Sequence, residues 1–191
     1  MQRPDEAKAE INRALELDPL SLVISTDVGY QLFYARKYDE AIAQLRKTLQ
    51  MGPKFGLAHL WLARAYQQTG RYDEAMEEYR AADAAAPNWV VTLAGIGNLA
   101  GIANHKDQAR EMLAKLAAMS KEKYVTPYGI ALIYAGMGDK TQAFHWLDKA
   151  VEDRAHWLVW LRFDPRWDDL RSDPRYADLE RRIGFPVNAN S

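Results

Sequence analysis

The chain has 191 residues, 48% hydrophobic and 27% charged, an ordinary globular mixture that excludes a disordered chain and holds no run of about eighteen apolar residues able to span a bilayer. Its 25 Lys and Arg nearly balance 26 Asp and Glu, which argues against a nucleic-acid footprint. Cysteine is absent, which removes disulfide frameworks, thiol nucleophiles and Cys-based zinc sites and fits a reducing, cytoplasmic setting.

Residues 1–21, containing "RPDEAKAEINRALELDP", read as one helix with Ala7, Ile11 and Ala14 on one face at i, i+4, i+7 and a stop at Pro19. Residues 22–55 hold two helices. "LVISTDVGYQLFYAR" comes first, then "KYDEAI" at 37–42 opens a second in which Ala41, Leu45 and Thr48 repeat that spacing before "MGP" at 51–53. In residues 56–89 the same order returns: "GLAHLWLARAYQQTG", "RYDEAM" at 71–76, then "AAP" at 85–87, each 34 residues after its counterpart.

That period continues through residues 90–123 and 124–156. Stepping by 34 from Ala41 reaches Ala75, Ala109 and Ala143 forwards and Ala7 backwards. A small residue sits at one place in each preceding helix, Gly29, Ala63, Gly97 and Ala131, where it lets two helix backbones approach while larger neighbours fill the gap. Gly70 and Gly138 suit the turn between the helices because glycine tolerates positive φ, and Asp73 and Glu74 fall in the first turn of the second helix, where the macrodipole favours negative charge. In the last two units the closing proline is replaced by Lys121 and Ala155.

A 34-residue helix–turn–helix with "YDEA" and a closing proline resembles the tetratricopeptide repeat over residues 1–156. The resemblance implies an all-α, right-handed α-solenoid of antiparallel helix pairs: a half repeat at 1–21 and repeats at 22–55, 56–89, 90–123 and 124–156. The tryptophan common early in the family's first helix is missing, its places taken by Ser25, His59, Leu93 and Pro127, and Ala100 stands where an aromatic is usual. By the same resemblance residues 1–21 lack a partner helix. The expectation is a chain that opens in mid-repeat, with Ile11 and Leu15 less covered and a homo-oligomer formed through that open end.

Beyond Ala155 the period stops, and residues 157–191 read as a cap over the last apolar face, holding Trp157, Trp160 and Trp167. Asp164 and Pro165 open a short turn ending near Leu170. Asp173 and Pro174 start a last helix with Tyr176, Leu179 and Ile183 on one face, Gly184 at its end and Pro186 beyond. The string "FDP…LRSDPRY…LERRIGF" resembles the tail of bacterial tetratricopeptide proteins whose array follows a kinase, cyclase or DNA-binding domain.

Catalysis finds little support. His59, His105, His145 and His156 have no metal-pair spacing, adjacent acids such as Glu77 and Glu78 point apart on a helix, and "GIGNLAG" lies inside a helical repeat and not after a strand. No enzyme activity, cofactor or metal is expected. The first helices of such arrays line a concave groove, which places Thr26, Asp27, Tyr30, Phe33 and Tyr34, then Leu60, Trp61, Arg64 and Gln68, then Asn98, Tyr128 and Leu132 on its wall. Aromatic residues and Arg dominate interface energetics, so Tyr30, Tyr34, Trp61, Arg64, Asn98 and Tyr128 are the expected contacts for a protein or peptide partner. The same spacing also serves a core, and Phe33 and Trp61 are open to that second reading. The expected function is a protein-interaction scaffold, the C-terminal part of a larger bacterial regulatory protein; a self-association or spacer module and a ligand-sensing half are the alternatives.

Overall fold

The computed structural model describes residues 4–185, without the side chains of residues 4, 5, 7 and 8. The Ala7 side chain, Pro186 and the rest of the tail invoked above lie outside it. Its helices are α1 (Pro4–Leu17), α2 (Leu22–Tyr34), α3 (Tyr38–Met51), α4 (Gly56–Gln68), α5 (Tyr72–Ala85), α6 (Val90–Ile102), α7 (Lys106–Met119), α8 (Pro127–Gly136), α9 (Lys140–Glu152) and α10 (Pro174–Ile183), with 3-10 turns at His156–Trp160 and Pro165–Leu170. No strand occurs among the described residues. The chain is therefore all-α, and it divides into two compact units, Met1–Thr92 and Leu93–Ser191.

In the first unit α2 pairs with α3 and α4 with α5. Close approach depends on small residues: a Cβ on Gly29 would stand 2.5 Å from Leu45 Cγ, so the leucine fills the space the glycine leaves. Ala41, Leu45, Ala75, Tyr79 and Ala82 are all fully buried. The turns between paired helices need one left-handed residue, supplied by Arg36 at φ 61° and Gly70 at φ 73°. Asp39 and Glu40 lie in the first turn of α3, and Asp73 and Glu74 in that of α5. Helix α1 is less well covered. Ile11 and Leu15 are half-buried, and Leu17 and Leu20, 81% and 77% exposed, project at its C-terminal end.

In the second unit Gly97 of α6 admits Ile133 of α8, whose Cδ1 would be 2.7 Å from an added Cβ. Gly101 meets Gly136 in the same way, backbone against backbone, which explains the glycine spacing of "GIGNLAG" as helix packing. Asn104 at φ 60° and Gly138 at φ 77° continue the left-handed turns. Helix α8 begins at Pro127, later than the repeat boundary at 124, because the residue before a proline is driven out of the helical region: Thr126 is extended, at φ −62° and ψ 125°.

The segment after α9 folds onto this unit. Leu158, Leu161, Trp167, Leu170, Tyr176 and Leu179 form one buried cluster with Ala143, Phe144, Leu147 and Ala150 of α9. Asp164 caps the second 3-10 turn, its side chain accepting from Arg166 N, and Asp173 caps α10, accepting from Arg175 N at 3.0 Å. The Arg175 guanidinium, hydrogen-bonded to Asp173, holds that carboxyl down at about 2. Gly184, left-handed at φ 90°, ends α10.

Candidate partner-binding surface

Asp27, Tyr30 and Tyr34 stand at i, i+3 and i+7 on α2 and so share a face. All three are half-buried. Trp61 and Arg64 come from α4, which lies beside α2. The Trp61 ring centroid is 4.7 Å from that of Tyr30 and 5.7 Å from that of Tyr34, while Tyr30 and Tyr34 meet edge to face at 5.1 Å. Arg64 Cζ sits 4.4 Å from the Trp61 ring centroid, a cation–π contact on the side chain's own neighbour.

Trp61 is 5% exposed and Arg64 2%, so both form the floor of this patch, and Tyr30 and Tyr34 form its accessible part. Phe33, in contact with Trp61 at 5.5 Å between centroids, is wholly buried and belongs to the core. Burial, together with the charge of Asp27, holds the Tyr30 hydroxyl pKa well above its ordinary value, and Arg64 opposes that shift. Burial alone raises the Asp27 carboxyl, which makes no ion pair among the described residues.

The two remaining expected contacts lie in the second unit, and both are buried. Asn98 donates through Nδ2 to the Leu132 carbonyl at 2.7 Å and ties α6 to α8. The Tyr128 hydroxyl donates to Asp164 Oδ2 at 3.0 Å and accepts from Trp167 Nε1 at 2.6 Å, with the two rings edge to face. Asp164 is itself paired with Arg166 at 2.6 Å, both side chains almost fully enclosed. Tyr128 thus fastens the C-terminal segment and offers a partner almost no surface. Leu60 and Leu132 are core residues too, and Thr26 is buried with its hydroxyl donating to the Leu22 carbonyl.

His59 is a polar centre that spacing rules passed over, because its partners are not other metal ligands. Nδ1 lies 2.5 Å from Glu78 Oε2 and Nε2 lies 3.0 Å from the Pro53 carbonyl. Both partners are acceptors, so the imidazolium satisfies both at once, and the hydrogen bond to Glu78 raises the His59 pKa against the opposing effect of burial. Among the described residues no group of three His, Asp or Glu is placed to hold a metal ion.

The tetratricopeptide repeat family model matches residues 32–91, the segment that contains both "YDEA" turns. Over those residues the chain carries tetratricopeptide repeats. The match extends to the small glutamine-rich tetratricopeptide repeat-containing protein 2 of Mycosarcoma maydis, 34% identical over 68 residues, which are 36% of this chain and only 19% of that protein's length. Among solved tetratricopeptide structures, a thermophilic protein of Thermus thermophilus aligns at TM-score 0.67 and 20% identity over 93% of this chain and 90% of its own. YrrB, a tetratricopeptide protein with an unusual peptide-binding site, aligns at 0.51 and 12% identity over 91% of this chain and 90% of its own. At such identities the likeness is one of fold, the solenoid of helix pairs. No helix among the described residues is long and apolar enough to cross a membrane.

Proposed function

We propose that the chain is a non-catalytic protein-interaction module that binds a segment of a partner protein on the α2–α4 face of its first unit. Tetratricopeptide repeats generally mediate protein–protein contacts. The observation that carries this reading is the aromatic patch: two half-exposed tyrosines, held edge to face and seated on a buried tryptophan, are rigid amphipathic anchors that lose little freedom on binding. Tyr30 and Tyr34 contact the partner; Trp61 and Arg64 hold them in place. Asn98 and Tyr128, buried as they are, act on any partner only by fixing the helices that carry them. The resemblance of the C-terminal string to the tails of bacterial regulatory proteins supports a cytoplasmic regulatory setting.

Selection of a random dodecapeptide display library on the immobilised chain tests the reading. Recovered peptides are expected to lose about ten- to a hundred-fold in affinity for Tyr30→Ala and Tyr34→Ala, with helicity retained, and to bind Glu77→Ala and Arg80→Ala as they bind the parent. Peptides indifferent to both tyrosines would place binding elsewhere.

A second reading, self-association through α1, is favoured by one observation, the exposure of Leu17, Leu20 and Val23 around the α1–α2 turn. It predicts a concentration-dependent mass that Leu17→Lys with Leu20→Lys abolishes.

A further inference from the structure

The patch has a chemical character beyond being aromatic. We infer that the partner segment presents a cationic side chain, Arg or Lys, to Asp27 and the tyrosine rings of α2. This inference rests on the reading of the α2–α4 face given above and specifies what that face selects.

Asp27 is the patch's only carboxylate on α2, one helical turn before Tyr30 and two before Tyr34. It is half-buried and, among the described residues, has neither an ion pair nor a hydrogen bond. A carboxylate partly stripped of water with no compensating cation is an unmet cost in the free protein, and burial accordingly raises its pKa. The patch's own cation does not meet it. Arg64 lies against the Trp61 face on α4 and its charge reaches Tyr30, but it makes no ion pair with Asp27, whose shift comes from burial. Asp27 and Tyr30, at i and i+3 on α2, share one helix face, and the carboxylate's charge reaches the Tyr30 hydroxyl.

A carboxylate next to π faces is complementary to one ligand chemistry. An ammonium or guanidinium gains an ion pair and a cation–π contact together, while its aliphatic stem packs on the tyrosines. An acidic side chain gains neither and meets Asp27 as a like charge. A neutral aromatic group would stack on the rings but leave the carboxylate more deeply buried and still unpaired, so the charge complementarity favours a basic residue.

The peptide selection decides this when it is run in parallel on the parent chain and on Asp27→Asn. Peptides recovered by the parent are expected to share Lys or Arg at one position, and replacing that residue by Gln should weaken binding about tenfold. The same replacement should cost little on Asp27→Asn, so the two changes do not multiply. Recovered peptides that compete at Tyr34 yet carry no basic position would overturn this inference and leave the binding face standing. So would a basic preference that persists unchanged in Asp27→Asn. If no peptide is recovered at all, the binding face falls and the inference falls with it.

Discussion

His59 Nδ1 lies 2.5 Å from Glu78 Oε2, and the pair is separated by 19 residues, the step from the first helix of a repeat to the facing position on the second. One repeat earlier the same step joins Ser25 and Gln44, whose Nε2 donates to the Ser25 hydroxyl at 2.9 Å. One repeat later the corresponding positions hold Leu93 and Met112, both buried. The position where the family often carries tryptophan is thus polar in two repeats, each time hydrogen-bonded to a polar partner on the second helix.

The His59–Glu78 pair makes stability depend on pH. Because the folded pKa of His59 is raised above its unfolded value near 6.5, its contribution is complete below about pH 6.5 and is lost as pH rises through the higher folded value. Unfolding free energies from denaturant titrations at pH 6 and upwards should fall by on the order of 1 kcal/mol, and Glu78→Gln should remove most of that slope. A slope unchanged by Glu78→Gln would separate the pair from the pH dependence.

Ala75 is fully buried between paired helices and Ala84 is exposed on α5. Ala75→Leu should overfill its site and cost about 1–3 kcal/mol in chemical denaturation, while Ala84→Leu should stay within about 0.5 kcal/mol. Equal midpoints would contradict the packing register.

The left-handed turn positions provide a backbone test. A Cβ on Gly70 would meet nothing within 4 Å, so Gly70→Ala reports φ alone and should destabilise by about 1 kcal/mol. Asn104 occupies the equivalent turn of a later repeat with an exposed side chain, and Asn104→Gly should be stabilising or neutral by the same measure, because relief of φ strain offsets the added freedom of the unfolded chain.

These positions show what the sequence made legible. The recurrence of Ala41, Ala75, Ala109 and Ala143 located the helix contacts because alanine at a fixed period has one physical use, and each is fully buried. Gly70 and Gly138 marked their turns by residue type, but Arg36 and Asn104 did not, although they adopt the same backbone. The binding face was harder to read. Trp61 and Tyr30 sit on neighbouring helices at spacings that suit core and groove alike, and only the packing of rings shows that one is floor and the other surface. Tyr128 could not be read from the period at all, since the Asp164 and Trp167 it bonds lie 36 and 39 residues away in the segment that abandons the repeat.

That segment should be held by the same contacts. Tyr128→Phe deprives the buried Trp167 Nε1 of its acceptor and is expected to cost about 1–3 kcal/mol in thermal or chemical unfolding. The exposed Tyr124 provides the control, and Tyr124→Phe should change nothing measurable. A neutral Tyr128→Phe would mean that these hydrogen bonds add nothing to the apolar packing and to the Arg182–Asp148 and Lys140–Asp169 contacts that also hold the C-terminal segment.

The binding face itself is tested most directly by an amide NMR titration of the labelled chain with a peptide recovered from the selection. Shifts are expected to concentrate on α2 and α4 at Asp27, Tyr30, Tyr34, Trp61 and Arg64, and Tyr34→Ala should weaken the titration about tenfold or more. Shifts concentrated instead on α1, or at Glu77 and Arg80 on α5, and left intact by Tyr34→Ala, would contradict binding on this face.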